Sequence, residues 1–133
     1  MIQAQDLRIG NIAYSELTQR NVKINVRLLA LMQSEQRVKG KTTYRGIPLT
    51  EEILLNCGSK YTGFKKDNYQ FEKIKIYDLG NQVTLYYYVD YKNFSIFYKN
   101  QVVDCYDGLL DIELHQLQNL YFSLTQKELE IKL

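Results

Sequence analysis

The sequence predicts an α+β fold: a small N-terminal β-unit, a short helix, an antiparallel β-meander and a C-terminal helix covering that meander. Three observations carry this. Residues 22–28 alternate apolar and polar side chains. Residues 61–106 hold 9 of the 12 tyrosines and are cut by short turn-forming pairs. Leu114, Leu117, Tyr121 and Leu124 recur at helical spacing.

The elements follow in order. Gly10-Asn11 is a turn signal ahead of Ile12-Ala13-Tyr14. Val22, Ile24, Val26 and Leu28 alternate with Lys23, Asn25 and Arg27, the pattern of a half-buried strand, which the apolar run to Met32 extends. A second alternating stretch, Arg37 to Arg45, would put Lys39, Lys41, Thr43 and Arg45 on one face. Strands this closely spaced suggest a curled β-unit, with an SH3-like barrel as one form. The expected division is a β-rich subdomain over 1–47 and an α+β subdomain over 48–133, with a single compact domain left open.

Pro48 ends the first region. Residues 49–58 then read as a short helix: Thr50 is a suitable N-cap, Glu51 and Glu52 suit the first turn, and Gly58 suits the stop. The meander is expected as strands 69–77, 82–90, 94–98 and 101–106, with turns at 78–81, 91–93 and 99–100. The run 111–124 is the longest expected helix, and 128–133 a last short strand or a frayed tail.

The chain has 133 residues, 45% hydrophobic and 24% charged, which suits a globular domain that needs no disulfide or metal to fold. The net charge is +2, but residues 1–66 hold 11 Lys and Arg against 5 Asp and Glu, and residues 67–133 hold 6 against 10. That basic front and acidic back suits head-to-tail association or an anionic partner. Cys57 and Cys105 make no metal or redox spacing and read as two reduced, buried thiols. With no secretory signal at the start and no apolar run near the roughly 20 residues of a membrane span, a cytoplasmic location without membrane contact is expected.

No motif for a cofactor, a metal or a catalytic nucleophile appears, so none of these is expected and neither is an enzyme. His115 is the only histidine. It reads as structural, or as a hydrogen-bonding residue at a cleft edge, and His115, Gln116, Gln118 and Asn119 form a candidate functional surface. Asp104, Asp107, Asp111 and Glu113 could face a hard cation, but their spacing is not that of an EF-hand, and a solvated, helix-capping loop fits better. Tyr86, Tyr87, Tyr88 and Tyr91 could stack bases on an open sheet face, but suit half-buried strand packing better. Arg37, Lys39, Lys41 and Arg45 are the candidate nucleic-acid contacts, although a basic strand face is also how edges resist aggregation.

Three segments, Asp6-Leu7-Arg8-Ile9-Gly10-Asn11, the eight residues from Ile47 to Leu54, and His115-Gln116-Leu117-Gln118-Asn119-Leu120-Tyr121-Phe122 through Thr125, occur in an order that resembles a group of small uncharacterised proteins of gut Bacteroides-type bacteria. Many members of that group travel on prophages or other mobile elements. The resemblance implies a bacterial, mobile-element origin and transfers no activity. It departs at Ser59, where a bulky apolar residue is expected after Gly58. The resulting expectation is a non-enzymatic interaction or accessory factor of a phage or mobile element, acting on another protein or its own copy. The alternative is a nucleic-acid-binding accessory protein using the basic N-terminal β-face.

Overall fold

The structure, a computed structural model, describes residues 2–66, 73–89, 92–103 and 112–132. The expectations placed on Tyr69, Phe71, Tyr91, Asp104, Cys105, Tyr106, Asp107 and Asp111 lie outside the described residues. The fold is α+β, with three α-helices and two antiparallel sheets, of three and five strands, among the described residues. The chain divides into two units, one of residues 1–48 and 113–120, the other of residues 49–112 and 121–133.

The first unit holds strands β1 (Ile12–Ser15), β2 (Arg20–Lys23) and β3 (Tyr44–Arg45), in the order β2-β1-β3, and helix α1 (Val26–Lys39). The three strands do not close into a barrel. Val22 and Ile24 keep their place beside the sheet: Val22 pairs with Ala13, and Ile24 N donates to Asn11 O at 2.8 Å. The expected strand then fails at Asn25. Its side chain accepts from Leu28 N at 2.8 Å, an N-cap that opens a 14-residue helix. Gly40, at φ 73°, closes it. The alternation of Val26 and Leu28 with polar neighbours is therefore a coincidence on a helix, and the run after it is rich in Leu, Ala, Gln and Arg, which favour helices.

The basic strand expected over 37–45 is corrected in the same way. Arg37 and Lys39 lie in the last turn of α1, Lys41 follows Gly40, and only Arg45 is on a strand. The core of this unit is Ile2, Ala4, Leu7, Ala13, Ile24, Met32 and Tyr44, with Val22 and Leu29 against it. Met32 is the one fully buried residue of α1, so the helix is anchored by a narrow seam and leaves much of its surface in water.

The second unit holds helix α2 (Glu51–Asn56) and strands β4 (Lys60–Lys66), β5 (Lys73–Gly80), β6 (Val83–Tyr88), β7 (Asn93–Tyr98) and β8 (Gln101–Val102), paired in chain order. The short helix forms as expected: Thr50 Oγ1 accepts from Ile53 N at 3.2 Å, and Gly58 takes φ 73° just beyond the end. Ser59 is buried and donates from Oγ to Leu54 O at 2.6 Å, so a hydrogen bond fills the place where the resemblance led us to expect an apolar side chain.

β4 is an additional strand that the sequence reading did not expect. β5 runs on through Asp78, Leu79 and Gly80, so the turn expected at 78–81 falls instead at Asn81 and Gln82, both at positive φ, as Lys99 and Asn100 are between β7 and β8. Two residues at positive φ make a turn whose twist matches the strands it joins. One face of the sheet buries Tyr77, Leu79, Val83, Leu85, Phe94 and Ile96.

Helix α3 (Leu114–Thr125) carries both units' residues. Leu114 and Leu117 are buried residues of the first unit; Tyr121 belongs to the second, where it accepts from Asn81 Nδ2 at 2.7 Å and donates to Leu79 O at 3.4 Å. The apolar stripe expected to cover the meander is thus divided. Residues 128–132 form no strand, but Leu129 is buried and Lys132 N donates to Asn56 O at 2.9 Å.

Candidate functional site

The start of α3 is fixed by backbone. Leu114 N donates to Ile47 O at 2.8 Å, and Pro48 bridges to Glu113. Gln116 Oε1 accepts from Glu113 N at 2.9 Å, satisfying a donor that the helix end would leave open. Of the four residues expected on a functional surface, only Gln116 is exposed; Asn119 is half-buried, while His115 at 3% and Gln118 at 2% exposure are interior. They cannot serve as an open contact surface as they stand.

Two of the segments singled out in the sequence prove to be the two sides of one polar network. Gln118 Oε1 accepts from Ile12 N at 2.8 Å, and its Nε2 donates to Gly10 O at 3.1 Å. The carboxamide stands in for a neighbouring strand's backbone. Asn119 Oδ1 accepts from Asn11 Nδ2 at 2.8 Å and from Arg8 Nε at 3.2 Å, and Asn119 Nδ2 donates to Asp6 O at 3.3 Å. Asn11 Oδ1 in turn accepts from Arg8 N at 2.6 Å. The polar letters of the helix string therefore meet the polar and backbone groups of residues 6–12. Buried groups of this kind must be paired to be tolerated.

Beside this network the first unit has a polar cleft of about 420 Å³, lined by Asp6, Arg45, Gly46, Glu113, His115 and Gln116. Arg45 is already engaged: its Nε lies 3.1 Å from Glu16 Oε1, and its guanidinium sits 4.6 Å from the centre of the Tyr14 ring. Gly46 lies under the Glu113 carboxylate, so closely that a Cβ there would stand 1.9 Å from Oε2. His115 Nδ1 has no hydrogen-bond partner among the described residues. Burial lowers the His115 pKa from 6.5, and Glu113 and Asp6 pull the other way without overcoming it. The imidazole is therefore neutral at pH 7.

Two surfaces complete the inventory. On α1, Val26 is 68%, Leu31 55% and Val38 80% exposed, beside the exposed cations Arg27, Arg37 and Lys39. Leu31 and Val38, seven residues apart, share one side of the helix, while Val26 at its start lies on another. Sequence reasoning missed these exposed apolar residues because it read the segment as strand; Asn25 and Gly40, fourteen residues of helix apart, were the available signals. On the five-stranded sheet an open groove of about 480 Å³ is lined by Ile76, Tyr86 and Phe97 among others. There Tyr86 packs on Phe97 with centroids 4.3 Å apart, while on the opposite, buried face Tyr87 packs on Phe94 at 4.9 Å. Both tyrosines are half-buried in sheet packing.

Among the described residues no group of three or more His, Cys, Asp or Glu could hold a metal ion, and no helix is long and apolar enough to cross a membrane. Comparison with protein-family models, with curated proteins and with solved structures yields no match.

Proposed function

We propose that this chain is a non-enzymatic accessory protein that assembles with copies of itself, using the outer face of α1 as one half of the contact. The observation that carries this reading is the exposure of Leu31 and Val38, seven residues apart and so on one side of a helix whose neighbouring charges include the basic Arg27, Arg37 and Lys39. Exposed apolar side chains that adjoin on one side of a helix are a feature of interaction sites. Charge complementarity favours a second copy as the occupant. The first unit holds 8 Lys and Arg against 4 Asp and Glu, while the second holds 9 against 11. The first unit is therefore net basic and the second net acidic, a balance that suits a contact between unlike units of two copies. A contact between unlike surfaces repeats head to tail rather than closing as a symmetric pair.

The test compares wild type with Leu31→Glu and Val38→Glu by light scattering across a concentration series. Assembly in wild type, lost in both variants with helix content unchanged, supports the reading. Equal masses for all three proteins at every concentration would refute it.

A second reading rests on Arg37, Lys39 and Lys41, which fall within five residues at the end of α1 and make no ion pair among the described residues. They could follow a phosphate backbone. Three such contacts would give a salt dependence of slope about −2.7 on duplex DNA. Binding with that slope, abolished in the triple alanine variant, would favour this alternative; a flat response would remove it.

A further inference from the structure

We propose that the open face of the five-stranded sheet binds the ring of a neutral sugar, a pyranoside, in the groove between Asp78 and Phe97. Binding there is independent of self-assembly through α1, since every residue of the groove belongs to the second unit.

The ladder register builds the floor of the groove. Asp78 pairs with Thr84 and Thr84 with Phe97, so these three side chains stand in one row across β5, β6 and β7. Ile76 and Tyr86 pair in the next row, two residues along, and therefore on the same face. Two strand spacings by two residues make a patch of about 10 by 7 Å, the footprint of one six-membered ring with its hydroxyls. The groove holds about 480 Å³. Small-ligand sites hold about 300–1,000 Å³.

The floor is apolar and its rim is polar. The Tyr86 and Phe97 rings, half-buried and tilted by 37°, lie beside half-buried Ile76. Around them stand hydrogen-bonding groups that the protein does not use. Asp78 Oδ1 accepts from Gly80 N at 2.8 Å, but its Oδ2 has no partner among the described residues. Neither the Thr84 hydroxyl nor the Asn100 carboxamide has one. Thr62, which also lines the groove, donates to Ile76 O at 3.3 Å. Free carboxylate, hydroxyl and carboxamide groups together accept and donate. A pyranose ring matches both parts: its C–H face lies on aromatic carbon, and its hydroxyls each donate and accept. Aromatic walls with a few placed polar groups are how small-molecule sites hold and orient a ligand.

Charge narrows the ligand to a neutral one. Lys60 stands opposite Asp78 in the β4–β5 pair, and the two make no ion pair. Their charges cancel at longer range, so the face draws neither an anion nor a cation. A phosphate or carboxylate set on the ring floor would meet the Asp78 carboxylate, and a plain hydrocarbon would leave the polar rim without partners.

The test is a titration of the full chain, followed through the backbone amide signals of Thr84, Tyr86, Phe97 and Asn100, with the methyl glycosides of glucose, galactose and mannose. Cyclohexanol, a ring without the hydroxyls, and sorbitol, the hydroxyls without a ring, are the controls. At least one glycoside should shift these amides saturably, with half-saturation on the order of 10 mM or tighter, and both controls should bind about tenfold more weakly or not at all. Tighter binding of methyl maltoside or methyl cellobioside than of a single ring marks a glycan chain as the ligand; equal binding marks a free sugar. Asp78→Asn keeps an acceptor for Gly80 N and should weaken binding about tenfold; Thr84→Val should weaken it about threefold. Both positions are at least partly open to solvent, so the variants should keep the wild-type urea midpoint. No saturable shift from any glycoside, shifts confined to amides elsewhere, controls that bind as well, or undiminished binding in both variants would overturn the assignment.

Discussion

Replacing Gln118 with methionine tests whether the polar network secures the first unit. Methionine has nearly the same length and shape but can neither accept from Ile12 N nor donate to Gly10 O, the two bonds that Gln118 makes at 2.8 and 3.1 Å. The Ile12 amide lies in the interior, and leaving it unpaired costs about 1–3 kcal/mol. Gly10 is only half-buried, so water can replace part of its bond, and that loss adds about 1 kcal/mol. The more apolar side chain returns part of this, which leaves about 2 kcal/mol. In urea, with a slope of about 1–3 kcal/mol per M, the unfolding midpoint should fall by about 1 M. The amide of Ile12 should exchange with solvent roughly 30-fold faster, since about 1.4 kcal/mol is a factor of ten. Gln33→Met, an exposed position on α1 in the same unit, is the control and should change little. A Gln118→Met midpoint within about 0.3 M of wild type would show that the network is not a main support of this unit.

Other consequences follow from the same structure. Replacing Asn25 with alanine removes the α1 cap and should cost about 1 kcal/mol in urea unfolding; no loss would contradict a helix starting at Val26. His115 has its pKa lowered by burial, so the unfolded chain takes up its proton first as pH falls below 6.5. Wild type should lose stability there, by at most about 1.4 kcal/mol per pH unit, and His115→Gln should lack that component; parallel curves for the two proteins would refute it. The Cys57 thiol is pushed up to about 12 by burial and should resist iodoacetamide until the chain unfolds. Peptide mapping that finds Cys57 alkylated equally fast in native and unfolded protein would refute its burial.

Much of the second unit was legible because its signals are local. Thr50 and Gly58 bracket a helix, and Lys99-Asn100 marks a turn, whatever the rest of the chain does. β4 was less so, since Gly63 and a register shift between Tyr61 and Gly63 break its alternation. In the first unit the strand pattern of Val22 and Ile24 runs on by chance into Val26 and Leu28, past Asn25, the capping residue that ends it. That one step turned a helix into a strand, scattered the basic residues that were to share its face, and hid the exposed apolar pair Leu31 and Val38 on one side of the helix, with Val26 at its start. Gln118 and Asn119 read as surface because polar residues usually are. Their burial depends on groups about 108 residues away in the chain, Gly10 and Asn11, which no local pattern displays. The distinctive helix string now has a physical account for part of its length: Gln118 and Asn119 fasten residues 6–12, and His115 faces the cleft.

Self-assembly through the basic, apolar face of α1 is the account's central claim, and sedimentation equilibrium of the wild-type chain at low and moderate salt tests it most directly. The account predicts a mass that rises with concentration, without stopping at a dimer, and an assembly that weakens as salt screens the contact between basic and acidic faces. A monomer mass at both salt concentrations over the whole range would contradict it.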